Sequence, residues 1–164
     1  MEQHTQKLTE AYTQYSDAIF RYCFFRIGDR EKALDFVAET FTRMWQYLIK
    51  GNEVVNTKTF LYTIARHIII DEYRKKKIIS LDDLIDKGIE PYEEIEEPLY
   101  SAEDVIRVMK CVHELPENYS SIIIMRYVND LSLEEIAHVI GESENVVSVR
   151  IHRGLAKLRA LAII

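Results

Sequence analysis

Tyr62, Arg66, Tyr73 and Lys77 stand four, seven and four residues apart, a spacing that lines them along one face of a helix. Arg74, Lys75 and Lys76 thicken the charge beside them. Cations neutralise phosphates and an aromatic ring stacks on an unpaired base, so this set suits a nucleic-acid strand held single. It equally suits a solvated basic helix end that complements the macrodipole, with tyrosines sealing a core rim. A second group lies near the C-terminus. There Asn145, Val149, His152 and Arg153 face away from Val147, Ile151, Leu155 and Leu158, flanked by Ser148, Arg150, Lys157 and Arg159. Val146 to Arg159 holds four Lys+Arg and no acid. A major groove accepts such a helix: amide, cationic and apolar side chains meet base edges while flanking cations hold phosphates. The plainer alternative is an amphipathic C-terminal helix in a bundle.

Other chemistries find no footing. Glu135 and His138 make one Glu-x-x-His, but a di-iron bundle needs that motif twice, so His138 is expected at the surface of its helix. There is no phosphate-cradling glycine loop, no nucleophile elbow and no Cys–His pair at metal spacing. The only cysteines, Cys23 and Cys111, lie far apart and form no disulfide framework. No catalytic residue, metal or cofactor is therefore expected, and the chain reads as a non-enzyme.

The elements that must position these groups are all helical. Ala33, Phe36, Val37, Thr40, Phe41, Met44, Trp45 and Leu48 recur at three- and four-residue steps, with Asp29 as N-cap and Gly51-Asn52 as a stop. Before them, Ala18, Ile19, Tyr22, Cys23 and Phe25 predict a shorter helix ending near Gly28. After them, Phe60, Leu61, Ile64, Ala65 and Ile68 mark a third, with the tyrosine and cation set expected off its core stripe. In the second half, Ser101 to Asp104 opens a helix with Val105, Val108, Met109 and Val112 as its stripe. Pro116 fits the first turn of the next helix, running to about Val128, and Asn129-Asp130 is a turn. Ser132 and Glu135 form a capping box for a short helix, Gly141 ends it, and Ser143 caps a last helix to about Ala160. A short helix, a glycine turn and a second amphipathic helix make a helix-turn-helix pattern.

Composition fits this reading. The 164 residues are 48% apolar and 29% charged, with five Gly and three Pro, too few for a turn-rich β-sandwich or barrel. The net charge of −6 divides unevenly: +3 over 1–79, −9 over 80–104 and zero over 105–164. The acidic stretch also holds Gly88, Pro91 and Pro98 and reads as a flexible linker. The expected fold is all-α: two small helical domains, 1–79 and 105–164, joined by that linker, the second a helix-turn-helix domain. With no apolar run near membrane length and no apolar leader, the chain is expected to be soluble and cytoplasmic, without membrane insertion.

Taken together the halves resemble a bacterial RNA polymerase sigma factor of the extracytoplasmic-function group. Asp35-Phe-Val-Ala-Glu39-Thr40-Phe41-Thr-Arg43-Met-Trp45 resembles the helix that docks on the polymerase clamp. Thr59-Phe60-Leu61-Tyr62-Thr-Ile64-Ala65-Arg66-His67, then Asp71-Glu-Tyr73-Arg74-Lys75-Lys76-Lys77, resembles the segment that captures the minus-ten element. Leu131-Ser132-Leu133-Glu134-Glu135-Ile136-Ala137, Gly141 and Arg150-Ile151-His152-Arg153-Gly154 resemble the domain that reads the minus-thirty-five element. The resemblance implies core docking through Asp35, Glu39, Thr40, Phe41, Arg43 and Trp45. It implies minus-ten contacts from Phe60, Tyr62, Arg66, His67, Tyr73, Arg74, Lys75, Lys76 and Lys77. Asn145, Ser148, Val149, Arg150, His152, Arg153 and Lys157 would meet the minus-thirty-five duplex.

Some positions depart from the family pattern. Ala38 stands where Gln is frequent, Phe60 where Trp is usual and His67 where Asn is usual. Asn145-Val146-Val147-Ser148-Val149-Arg150 replaces a common Gly-Thr-Val-Lys-Ser-Arg run, so Val149 can meet a thymine methyl where a hydroxyl is usual. The implied partners are core RNA polymerase, promoter DNA and an anti-sigma factor. The runner-up is a helix-turn-helix regulator that never replaces the polymerase's specificity subunit; a third reading is a helical interaction module.

Overall fold

A computed structural model describes residues 1–75 and 102–162, all of whose regular elements are helices. Lys76, Lys77, Ser101 and most of the expected linker lie outside the described residues. Helix α1 spans Glu2–Ile27, α2 Arg30–Ile49 and α3 Thr57–Lys75. Then come α4 (Ala102–Glu114), α5 (Glu117–Ile123), a π-helical segment (Ile124–Val128), α6 (Leu133–Ile140) and α7 (Glu144–Ala162).

Helix α1 is the element that the sequence reading undersized. Its 26 residues begin at Glu2, well before the apolar stripe that marks its second half. Only Ala11 is buried in the first half of the helix, so periodicity had little to register there. Helix α2 behaves as its stripe predicts. Asp29 caps it by accepting from the Lys32 amide at 3.2 Å, and Ala33, Val37, Thr40, Phe41, Met44 and Leu48 are buried. Asn56 starts α3, its Oδ1 accepting from the Thr59 amide at 3.2 Å.

In the second half, α4 begins at Ala102, where the start pattern from Ser101 to Asp104 predicts it, so it overlaps the last residues counted with the linker. The helix expected from Glu117 to Val128 changes character at Ile124. There the Asn129 amide donates to the Ile124 carbonyl at 3.1 Å, a five-residue step, and the Leu131 amide to Met125 at 2.9 Å. Such widened turns are rare and frequently sit at functional sites. Just past it Asn129 reaches the carbonyl of Ala18 in α1 at 2.8 Å.

The two halves share one core. Ile19, Tyr22, Met44, Leu61, Tyr62 and Ile69 from the first half belong to the same buried cluster as Ile122, Met125, Leu131, Ile136 and Val147 from the second. Helix α1 and α3 supply the contact surface on one side, the π-helical segment and α6 on the other.

Candidate nucleic-acid interface

The C-terminal helix is seated by its caps. Glu135 N donates to Ser132 Oγ at 3.1 Å and Ser132 N donates to Glu135 Oε1 at 2.9 Å, the reciprocal box that the sequence predicts. Gly141 ends α6 at φ 72°, a left-handed conformation that glycine adopts without a Cβ penalty. The chain then turns, and Ser143 Oγ accepts from the Val146 amide at 3.2 Å to start α7.

Val147 and Ile151 are buried beneath α7, while Leu155 and Leu158 are half-buried. Gly154 is buried with them, against α5. A Cβ there would stand 2.9 Å from Ile123 Cδ1 and 3.4 Å from Tyr119 Cβ, so a larger residue would make the Ile123 side chain shift. On the opposite face Asn145, Ser148, Val149, His152, Arg153 and Lys157 are all exposed, as expected. Arg150 differs: it is half-buried and lies 3.7 Å from Glu142 in the preceding turn. Lys157 Nζ lies 5.7 Å from the centroid of the Tyr119 ring. His138 is exposed on α6, and no cluster of three or more metal-ligating side chains occurs among the described residues.

The expected face of α3 is arranged otherwise. Tyr62 is 1% exposed, not at the surface. Its hydroxyl accepts from Asn129 Nδ2 at 2.9 Å and its ring meets Tyr22 edge-on at 5.7 Å. Burial pushes its hydroxyl pKa well up. The reason is a second neighbour: the face that α3 turns away from α1 and α2 is covered by the C-terminal half. Arg66 is half-buried, and burial lowers its pKa, with Arg26 and Arg150 adding like charge nearby. Tyr73 is half-buried and its hydroxyl donates to the Arg26 carbonyl. Phe60 is half-buried against Tyr47, ring centroids 4.9 Å apart. His67, Arg74 and Lys75 are exposed.

On α2 the implied docking residues divide in two. Asp35 is exposed, and Glu39 and Arg43 form a half-exposed ion pair at 2.9 Å. Trp45 is half-buried. Thr40 and Phe41 point inward; Thr40 Oγ1 donates to the Phe36 carbonyl at 2.6 Å, and Phe41 packs edge-on against Tyr12. They shape the outer face without forming it.

Sequence reasoning missed Arg26, Glu117, Ser120, Ser121 and Asn129, which meet between the halves. One signal was available: Arg26 interrupts the apolar run Tyr22-Cys23-Phe24-Phe25, where a charge needs a buried partner. That partner, Glu117, is too distant in sequence for any local rule to find.

Comparison with known proteins follows the same division. Residues 11–78 match the family described as Sigma-70 region 2, and residues 106–158 match Sigma-70, region 4. The chain is 32% identical over 152 residues to the RNA polymerase sigma factor SigV of Bacillus subtilis (strain 168), covering 93% of this chain and 89% of that protein. It is 29% identical over 155 residues to the ECF RNA polymerase sigma factor SigW of the same organism, covering 88% and 83%. The sigma factor RpoE, solved with the anti-sigma factor NepR from Bartonella quintana, shares the fold: TM-score 0.71 at 20% identity, over 97% of this chain and 98% of that one. CnrH, solved with the cytosolic domain of CnrY, shares it equally, with TM-score 0.71 at 20% identity over 96% and 88%.

Proposed function

The chain belongs to the extracytoplasmic-function group of RNA polymerase sigma factors, and from that membership we propose how its residues divide the work. It binds core RNA polymerase and directs promoter-specific transcription initiation, the role of a family that is itself non-catalytic. The observation that carries this is the order of both sigma-70 regions, 11–78 and 106–158, along one chain. A regulator that leaves the polymerase's own specificity subunit in place has no use for the first of them.

In this reading residues 1–79 form the docking and minus-ten unit, 80–104 the linker and 105–164 the minus-thirty-five unit. The exposed Asp35, Glu39 and Arg43 touch core polymerase, with Thr40 and Phe41 holding that face in shape. Phe60, Tyr62, Arg66, His67, Tyr73, Arg74, Lys75, Lys76 and Lys77 hold the opened minus-ten strand. The exposed side of α7 reads duplex DNA, with Asn145, Ser148, Val149 and His152 towards base edges and Arg150, Arg153 and Lys157 towards phosphates. Its acid-free, outward surface supports that assignment. An anti-sigma factor is the expected inhibitor, as RpoE was solved with the anti-sigma factor NepR. The work is done without chemistry of its own and in the cytoplasm; among the described residues no helix is long and apolar enough to cross a membrane.

Run-off transcription with purified core polymerase tests the proposal. A transcript from a cognate promoter, with two protected patches in a footprint of the holoenzyme, is the expected result. A single patch that is unchanged when core polymerase is added would overturn it.

A further inference from the structure

The turn that aims α7 carries an acid where a polyanion is expected. Glu142 stands between the glycine that ends α6 and the serine that caps α7, and its side chain is 44% exposed. Its backbone is fixed on both sides. The amides of Gly141 and Glu142 both donate to the Ala137 carbonyl, at 2.9 and 3.1 Å, closing the end of α6. One residue later the Ser143 carbonyl accepts from the Val147 amide at 3.1 Å, and the Ser143 hydroxyl accepts from the Val146 amide at 3.2 Å. A side chain rooted there has little freedom beyond its own rotamers.

Beside a nucleic acid a bare carboxylate weakens binding by like-charge repulsion. Glu142 is not bare. Its Oε1 lies 3.7 Å from Nη2 of Arg150 on α7, which holds that guanidinium at the corner between the two helices. Arg150 is 29% exposed, whereas Arg153 and Lys157 of the same helix stand out in solvent. Arg66 of α3 is close enough for its charge to be felt together with that of Arg150. Without the carboxylate, two cations would repel each other across this corner. A long arginine that nothing holds samples many rotamers, and a phosphate contact must first overcome that freedom. A fixed counter-charge lowers this cost before the contact forms.

We propose that Glu142 is a positioning residue for duplex recognition: its carboxylate sets the Arg150 guanidinium at the α6–α7 corner, facing the DNA backbone, before DNA arrives. The carboxylate itself touches neither base nor phosphate. The inference rests on the reading given above, in which Arg150 meets a phosphate. It adds that an acid on the DNA-facing turn strengthens binding, the opposite of what its charge alone would do.

The test titrates holoenzyme with the dye-labelled promoter duplex that yields the run-off transcript, at several salt concentrations. Four chains are compared: the parent, Glu142→Gln, Arg150→Ala and the two changes together. Arg150→Ala should weaken binding and make the salt slope shallower by about 1. Glu142→Gln should weaken binding about threefold and also make the slope shallower, although it removes a negative charge. Added to Arg150→Ala, the same change should leave affinity unchanged or raise it, since nothing remains to be held. Thermal melts separate positioning from a disturbed turn, which would lower Tm and weaken binding equally with and without Arg150. Tighter or unchanged binding by Glu142→Gln, or an equal loss in both backgrounds, would overturn the inference while leaving the phosphate role of Arg150 in place. If Arg150→Ala instead leaves affinity and salt slope as they were, that role is wrong and Glu142 has nothing to position. Absence of any run-off transcript marks an earlier failure, of the initiation role itself, and the inference falls with it.

Discussion

Helices α3 and α7 are each 19 residues long, and each sets cations beside an apolar stripe. Yet α7 presents Asn145, Ser148, Val149, His152 and Arg153 to solvent, whereas α3 has Tyr62 wholly buried and Arg66 half-buried. The difference lies in neighbours. Helix α7 rests on α4, α5 and α6 along one side, while α3 packs on α1 and α2 and is then covered by α6. An amphipathic pattern therefore tells which face packs first. It does not tell whether a second partner arrives.

The comparison can be broken or sharpened by measurement, beginning with the largest effect. Ile136 is fully buried beneath the turn that seats α7, so Ile136→Ala should cost about 2–5 kcal/mol in a denaturant melt. A smaller loss would mean that α7 is less firmly seated than its caps suggest. Acid should come next. Burial, assisted by the Arg26 charge, depresses the pKa of His113 to about 4. The unfolded chain takes up that proton near pH 6.5, so stability from this group is complete above 6.5 and falls as the pH drops towards 4. The loss approaches roughly 3 kcal/mol at its limit, and His113→Gln should flatten the fall of Tm between pH 7 and 5.

Arg153→Ala should then separate the two helices directly. We expect duplex affinity to weaken about equally for all sequences in a titration of holoenzyme with DNA, with the salt slope reduced by about 1 and Tm unmoved. Tyr62→Phe should do the reverse for the free chain. It removes the hydrogen bond from Asn129 and should lower stability by about 0.5–1.5 kcal/mol by thermal melt while leaving a ring to stack. If Tyr62→Phe leaves Tm unchanged, the contrast between the faces is lost.

Much of the scaffold was legible from single residues. Asp29, Ser132, Glu135, Gly141 and Ser143 each satisfy or release backbone groups within a few positions of themselves, and each acts as its type predicts. The stripe of α2 and the inward Val147 and Ile151 of α7 follow from periodicity alone. The first half of α1 was illegible because it buries little. The π-helical turn at Ile124 was illegible because the apolar pattern there reads as a continuous helix, and the partner that Asn129 meets in α1 lies 111 residues away.

By itself, then, the sequence determined the helices, their caps and which residue types stand together, since those rest on interactions within a turn or two of the chain. Only the tertiary structure decided that Arg26 meets Glu117, that Asn129 holds Tyr62 and that Gly154 lies against Tyr119 and Ile123 of α5. Those pairings are chosen by packing and by the cost of leaving a buried charge or hydroxyl alone, and that cost is blind to distance along the chain.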